Sequence, residues 1–126
     1  MCRIDLIEEV CTRLIIGAFF EVYNTLGFGF LESLYAAALV IELRSRGHRV
    51  EREVGVRVTY KGHVLGHQRV DLIVDGKVIL EVKSTWQLHR EAPRQVYNYL
   101  RATDLEVGLL LHFGRELEFF RVVSTA

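Results

Sequence analysis

The chain has 126 residues, half of them hydrophobic, and its 16 basic side chains balance 16 acidic ones. That length fits one domain with a real core. Zero net charge argues against a strongly basic protein that coats nucleic acid, though not against a local basic patch. Two cysteines, Cys2 and Cys11, make neither a disulfide framework nor a zinc site, and no apolar run reaches the length of a membrane span. Acidic residues begin at Asp5 and a helical pattern follows, which argues against a signal peptide. The expectation is a soluble cytoplasmic protein of one domain, 1–126, with no membrane association.

Residues 4–25 read as an amphipathic helix. Ile4, Ile7, Cys11, Leu14, Ile15, Ala18 and Val22 recur at three- and four-residue steps, with Asp5, Glu8, Glu9 and Arg13 on much of the other face. Leu26-Gly27-Phe28-Gly29 ends that helix, glycine being suited to the position past a helix C-terminus. Gly27-Phe28-Gly29 is no dinucleotide loop: it follows a helix, and Glu32 stands where the third glycine belongs. A second helix is expected from about Leu31 to Arg46, with Leu34, Tyr35, Ala38, Leu39, Ile41 and Glu42 along it. Glu32, in its first turn, either complements the helix dipole or supplies a carboxylate to a site.

Residues 49–60 alternate as a strand, with a bend expected at Gly55. Lys61-Gly62 signals a turn, and the return strand carries Asp71. His63 and His67 lie four apart on strand geometry and do not converge on a metal. Residues 69–83, RVDLIVDGKVILEVK, then read as two strands joined at Asp75-Gly76. Asp71, Glu81 and Lys83 interrupt their apolar pattern.

Residues two apart on a strand share a face, roughly 6.5–7 Å apart, so Glu81 and Lys83 point the same way. A two-residue loop would leave Asp71 on the opposite face, whereas a three-residue loop brings it to Glu81. The three-residue loop, with Gly76 left-handed, is expected because it gathers two carboxylates and an ammonium. Two adjoining carboxylates raise each other's pKa unless a cation joins them, and hard oxygen ligands suit Mg²⁺ or Mn²⁺. A lysine beside them can orient water or offset phosphoryl charge. The bland alternative is a surface ion pair on a half-exposed sheet.

After Lys83 comes a polar loop, then a helix from about Ala92 to Ala102 with Pro93 in its first turn. Gln95 and Tyr99 share a face of it, and Val96 and Leu100 form another stripe. Tyr97 and Tyr99 read equally well as core aromatics. Residues 106–113 form a short buried strand, Gly114-Arg115 a hairpin turn, and LEFFRVV a last strand. The order α-α-β-β-β-α-β-β puts a crossover helix between two strands and implies an α+β fold: a mixed sheet flanked by helices. The first helix and LEFFRVV can support a homodimer or a protein partner, and serve equally well as core.

Gly29-Phe30-Leu31-Glu32-Ser33-Leu34-Tyr35 resembles the signature of the small GxxExxY proteins. The resemblance runs over roughly residues 10–123, through Lys61-Gly62, Asp71, Glu81-Val82-Lys83, Gln95, Asn98-Tyr99-Leu100 and His112-Phe113-Gly114. It links the chain to the PD-(D/E)XK nuclease superfamily and implies a restriction-endonuclease-like αβββαβ core, here with an extra N-terminal helix and C-terminal strand. It further implies that Asp71 and Glu81 hold the metal with Glu32 as a third acid. Lys83 would be the catalytic lysine, and Gln95 and Tyr99 the motif residues of the following helix. Val70 stands where the superfamily name has proline, and Ala92-Pro93-Arg94 departs from relatives before Gln95. The implied function is metal-dependent cleavage of nucleic acid, most naturally DNA. The rivals are a non-catalytic binding or accessory module on the same fold and a purely structural domain. Arg44, Arg46, Arg49, Arg52, Arg69, His89, Arg90 and Arg94 are the cations available to meet a phosphate backbone.

Overall fold

The computed structural model describes residues 8–124. The chain runs α1 (Glu9–Leu26), α2 (Glu32–Ser45), β1 (Val50–Tyr60), β2 (His63–Val74), β3 (Val78–Lys83), α3 (Ala92–Arg101), β4 (Val107–Phe113) and β5 (Leu117–Val123). The strands form one sheet in sequence order. All neighbours are antiparallel except β3 and β4, which α3 connects in parallel. The fold is α+β, a single domain with a five-stranded mixed sheet and three helices among the described residues, consistent with a restriction-endonuclease-like fold.

The sheet separates two apolar layers. On one side α1 and α2 lay Ile15, Phe19, Tyr35, Leu39 and Leu43 on Leu72, Leu80, Val82, Leu109 and Leu111. On the other, α3 lays Val96, Tyr99 and Leu100 on Ile73, Ile79 and Leu110. β3 and β4 are covered on both faces, so their sequences read as continuous apolar runs. Gly108 on β4 sets how closely α3 approaches, since a Cβ there would lie 2.5 Å from Val96 Cγ1.

The helix faces differ in detail from the sequence pattern. The first helix begins at Glu9, and the expected start at residue 4 lies outside the described residues. Its buried stripe is Thr12, Ile15, Ala18, Phe19 and Val22, while Leu14 is exposed. Leu34 and Ile41 of α2 are likewise exposed, and Ala36, Val40 and Leu43 are buried instead. Apolar side chains also fall on the outer sides of both helices, so periodicity alone leaves the edges of the buried stripe ambiguous.

The bend expected at Gly55 is absent: Gly55 pairs in register with Arg69. The break falls two residues earlier, where Glu53 adopts φ 49°, between the pairs Arg52↔Leu72 and Val54↔Val70. Val50 and Val56 have the same parity, yet one joins the α1–α2 layer and the other the α3 layer; Leu72 and Val70 divide likewise. The strand pair therefore turns over at the level of Glu53 and Asp71. A left-handed residue breaks strand alternation whether or not it is glycine, at a strain of about 1–2 kcal/mol. The register is unchanged across Glu53, and it shifts at Val58/Thr59.

The β2–β3 loop has three residues, 75–77, since Val74 pairs with Val78. Asp75 and Gly76 are both left-handed, with φ 55° and 65°. Asp75 tolerates this because its carboxylate is tied down. It lies 2.7 Å from His48 Nδ1 and accepts the Arg49 backbone N–H at 2.8 Å. Burial works against its charge, but those two hydrogen bonds prevail and hold its carboxyl below the usual range. The same anchor joins the start of β1 to the hairpin. The β4–β5 loop is also one residue longer than the expected Gly114-Arg115 turn, because Phe113 pairs with Leu117.

Candidate active site

The hairpin register decides the site. The β2–β3 ladder ends with Leu72 opposite Leu80, and Asp71 and Glu81 are the next residues beyond it on the two strands. Asp71 accepts the Val82 backbone N–H through Oδ2 at 2.8 Å, which holds its carboxylate against β3. Lys83 Nζ lies 3.3 Å from Glu81 Oε2. The three charged residues that interrupt the apolar strands thus converge near the carboxyl end of β3, beside a parallel neighbour. Crevices at such strand ends are where open α/β sheets commonly bind ligands.

The electrostatics are strained without a cation. Glu81 is 5% exposed. Its Oε1 is buried and has no hydrogen-bond partner. Burial, chiefly, and then the Asp71 charge push its carboxyl up to about 7, although Lys83 pulls the other way. Burial also raises the Asp71 carboxyl, with the Val82 N–H and Lys83 opposing it and Glu32 adding to it. An unpartnered buried carboxylate oxygen is costly, and a divalent cation would satisfy it. The oxygen donors of Asp71 and Glu81 suit a hard cation that keeps several waters and needs only one or two protein carboxylates. No three His, Cys, Asp or Glu side chains among the described residues stand together as a ready-made cage.

Glu32 takes a different place. It opens α2 and is exposed at the rim, where Oε2 accepts the Ser84 backbone N–H at 3.3 Å. Its field reaches both Asp71 and Glu81. Glu32 also lines three clefts: about 320 Å³ with Arg52, Glu53 and Asp71, about 400 Å³ with Lys83, His89 and Gln95, and about 530 Å³ with Phe30 and Ser84. It therefore stands between the acidic pair and the lysine side of the site. Tyr35, three residues on, fixes that position. It is fully buried and stacks on Phe113 at 4.0 Å. Its hydroxyl donates to the Gly27 carbonyl and accepts the Phe30 N–H, closing the α1–α2 turn. Ser84 Oγ donates to the Phe30 carbonyl at 2.5 Å, tying that turn to the end of β3.

Gln95 and Tyr99 share a face of α3, as their spacing requires. Tyr99 is 4% exposed. Burial, with the Glu81 and Asp71 charges, pushes its phenol up to about 12. It therefore keeps its proton, and it packs with Ile73, Ile79 and Leu100 in the α3 layer. Tyr97 lies instead under the Arg94 guanidinium, 4.7 Å from the ring centre. Of the proposed cations, Arg69 pairs with Glu53 and Arg46 with Glu42, Arg44 donates to the Val50 carbonyl, and Arg52 lines the Asp71 cleft.

Sequence reasoning passed over the loop after β3. Ser84 and Thr85 read as generic polar residues, but Thr85 contacts the buried His112 ring twice at 3.0 Å, through its hydroxyl and its carbonyl. His112 Nδ1 lies 3.2 Å from Glu118 Oε1. Gly114 leaves room for this ring, since a Cβ there would meet it at 2.6 Å. Only the order His112-Phe113-Gly114 signals the arrangement in the sequence.

Comparison with known proteins agrees with this geometry. A search of curated proteins finds no match. The crystal structure of SSO0001 superposes with a TM-score of 0.59 at 18% identity, over 75% of this chain and 51% of that one, a likeness of fold. This chain thus corresponds to about half the length of that protein. No helix among the described residues is long and apolar enough to cross a membrane. The family model of the PD-(D/E)XK nuclease superfamily matches residues 9–122. With a match from α1 into β5, and an acid-acid-lysine set on the central hairpin, the chain belongs to the PD-(D/E)XK nuclease superfamily.

Proposed function

We propose that this protein is a metal-dependent nuclease acting on DNA, with Asp71 and Glu81 as the residues that hold Mg²⁺ or Mn²⁺. The observation that carries the reading is the buried, unpartnered oxygen of Glu81, set against Asp71 with Lys83 beside it. When bound, the cation supplies Lewis-acid polarisation of the scissile phosphate and acidifies water. Lys83 places its Nζ at the same point, where it orients the attacking water or offsets charge on the phosphoryl oxygens. Glu32, at the rim, adds a third carboxylate on the approach. Gln95 and Tyr99 hold the α3 side of the site. The stretch from Gly29 to Tyr35 supports kinship with the GxxExxY proteins in particular, and a cytoplasmic setting accompanies the proposal.

The test is cleavage of single- and double-stranded DNA and RNA in Mg²⁺ or Mn²⁺, with wild type beside Lys83→Ala. We expect wild type to cut DNA and Lys83→Ala to lose at least a hundredfold in rate while still binding metal. Equal cutting by both proteins would contradict the role of Lys83.

A second reading, a non-catalytic nucleic-acid-binding or accessory module on this fold, draws on the zero net charge and the absence of a three-ligand cage among the described residues. Metal binding without turnover on any substrate would favour it. A homodimer or a protein partner remains part of either proposal.

A further inference from the structure

We propose that Trp86 is a stacking platform for an unpaired base of the strand being cut, placed next to the carboxylate site. The inference rests on the nuclease reading and adds a substrate class to it, a strand with at least one unpaired base. Trp86 is the protein's single tryptophan and is 60% exposed, an unusual place for so large an apolar ring. It is also held in position. The Arg115 guanidinium lies over the ring at 4.3 Å, and Phe28 leans on it at 5.8 Å and 58°. Phe28 is itself 40% exposed.

The surroundings connect this ring to the chemistry. Trp86 is the wall shared by two clefts. One, of about 530 Å³, leads past Ser84 and Phe30 to Glu32. The other, of about 600 Å³, holds Arg90, Arg115 and His112. Two residues, Ser84 and Thr85, separate Trp86 from Lys83, so their Cα atoms lie within about 11 Å, a span of one or two nucleotides. A base stacked on the indole would thus leave its neighbouring phosphate at the Asp71–Glu81–Lys83 cluster. The base would take the other side of the indole or displace the Arg115 guanidinium from it, and that guanidinium can stack on the base or meet a flanking phosphate. Glu116 and Glu118 also line the larger cleft, which steers a phosphate backbone to its Arg90 and Arg115 side. Bases in a duplex are stacked on one another and present no free face, so this geometry selects unpaired ones.

The sole tryptophan makes a direct probe. In EDTA, where no cleavage competes, a single-stranded oligo-dT titration is expected to quench the fluorescence, and a blunt duplex of the same length is not. Trp86→Ala is expected to weaken binding of labelled oligo-dT about ten- to a hundredfold, and Trp86→Phe to restore most of it. Trp86 is exposed, so neither variant should disturb folding, and circular dichroism checks this. Equal oligo-dT affinity for wild type and Trp86→Ala, no quenching at all, or equal quenching by the blunt duplex would each overturn the proposal. Lys83→Ala separates the two readings. Quenching without any Lys83-dependent cleavage removes the nuclease reading alone. Lys83-dependent cleavage with an indifferent Trp86 removes the stacking platform alone.

Discussion

Glu81 is the residue where the proposed function and stability pull apart. Its carboxyl titrates near 7 in the folded chain, against an ordinary 4.5. Between those values the folded protein binds a proton that the unfolded chain lacks. Stability of the metal-free protein therefore falls as pH rises from about 4.5 to about 7 and then levels off, by on the order of 3 kcal/mol. Asp71, also raised, adds a loss of the same sign. Thermal unfolding in EDTA should show Tm several degrees lower at pH 8 than at pH 5, and Glu81→Gln should flatten the slope. An unchanged slope in that variant would assign the titration elsewhere. Tyr35 makes the opposite kind of contribution, since its hydroxyl is fully occupied by the Gly27 and Phe30 backbone. Tyr35→Phe should cost about 1–3 kcal/mol by leaving those groups unpaired. It should also loosen Glu32, measurable as earlier amide exchange across 27–33.

At the scale of elements, α3 and β4 fix the distance between the acidic hairpin and the helix that carries Gln95 and Tyr99. Gly108→Ala would drive a methyl into Val96, and we expect a destabilisation of about 1–3 kcal/mol by denaturant unfolding. We also expect reduced activity with unchanged metal affinity, because α3 shifts while Asp71 and Glu81 do not. Element order and the three-residue loop were legible because alternation, turn residues and the need to gather three charges all pointed one way. The turnover at Glu53 was not. Its strain falls on an ordinary glutamate, while nearby Gly55 carries the usual sign of a bend and pairs regularly. The buried faces of α1 and α2 were only half legible, because Leu14, Leu34 and Ile41 are apolar yet point to solvent.

For the whole molecule, zero net charge conceals a division of labour. Several cations are taken by surface pairs such as Arg13–Glu9, Arg46–Glu42 and Arg69–Glu53, worth little to stability. The acidic residues of the hairpin offset others in the sum, and under the proposed function they serve the opposite purpose, attraction of a cation. Counting charges therefore says less about nucleic-acid binding here than the position of each charge does. The candidate site was legible as Asp71, Glu81 and Lys83, because charges in apolar strands need a reason. The loop 84–86 was not, because its roles come from contacts with residues far along the chain, Phe30, His112 and Arg115. The most direct measurement is titration calorimetry of wild type, Asp71→Asn and Glu81→Gln with Mn²⁺ and Mg²⁺ at pH 8. We expect one site in wild type, loss of binding by at least tenfold in each variant, and proton release on binding below pH 7. Unaltered affinity in both variants would contradict the metal site, and with it the proposed chemistry.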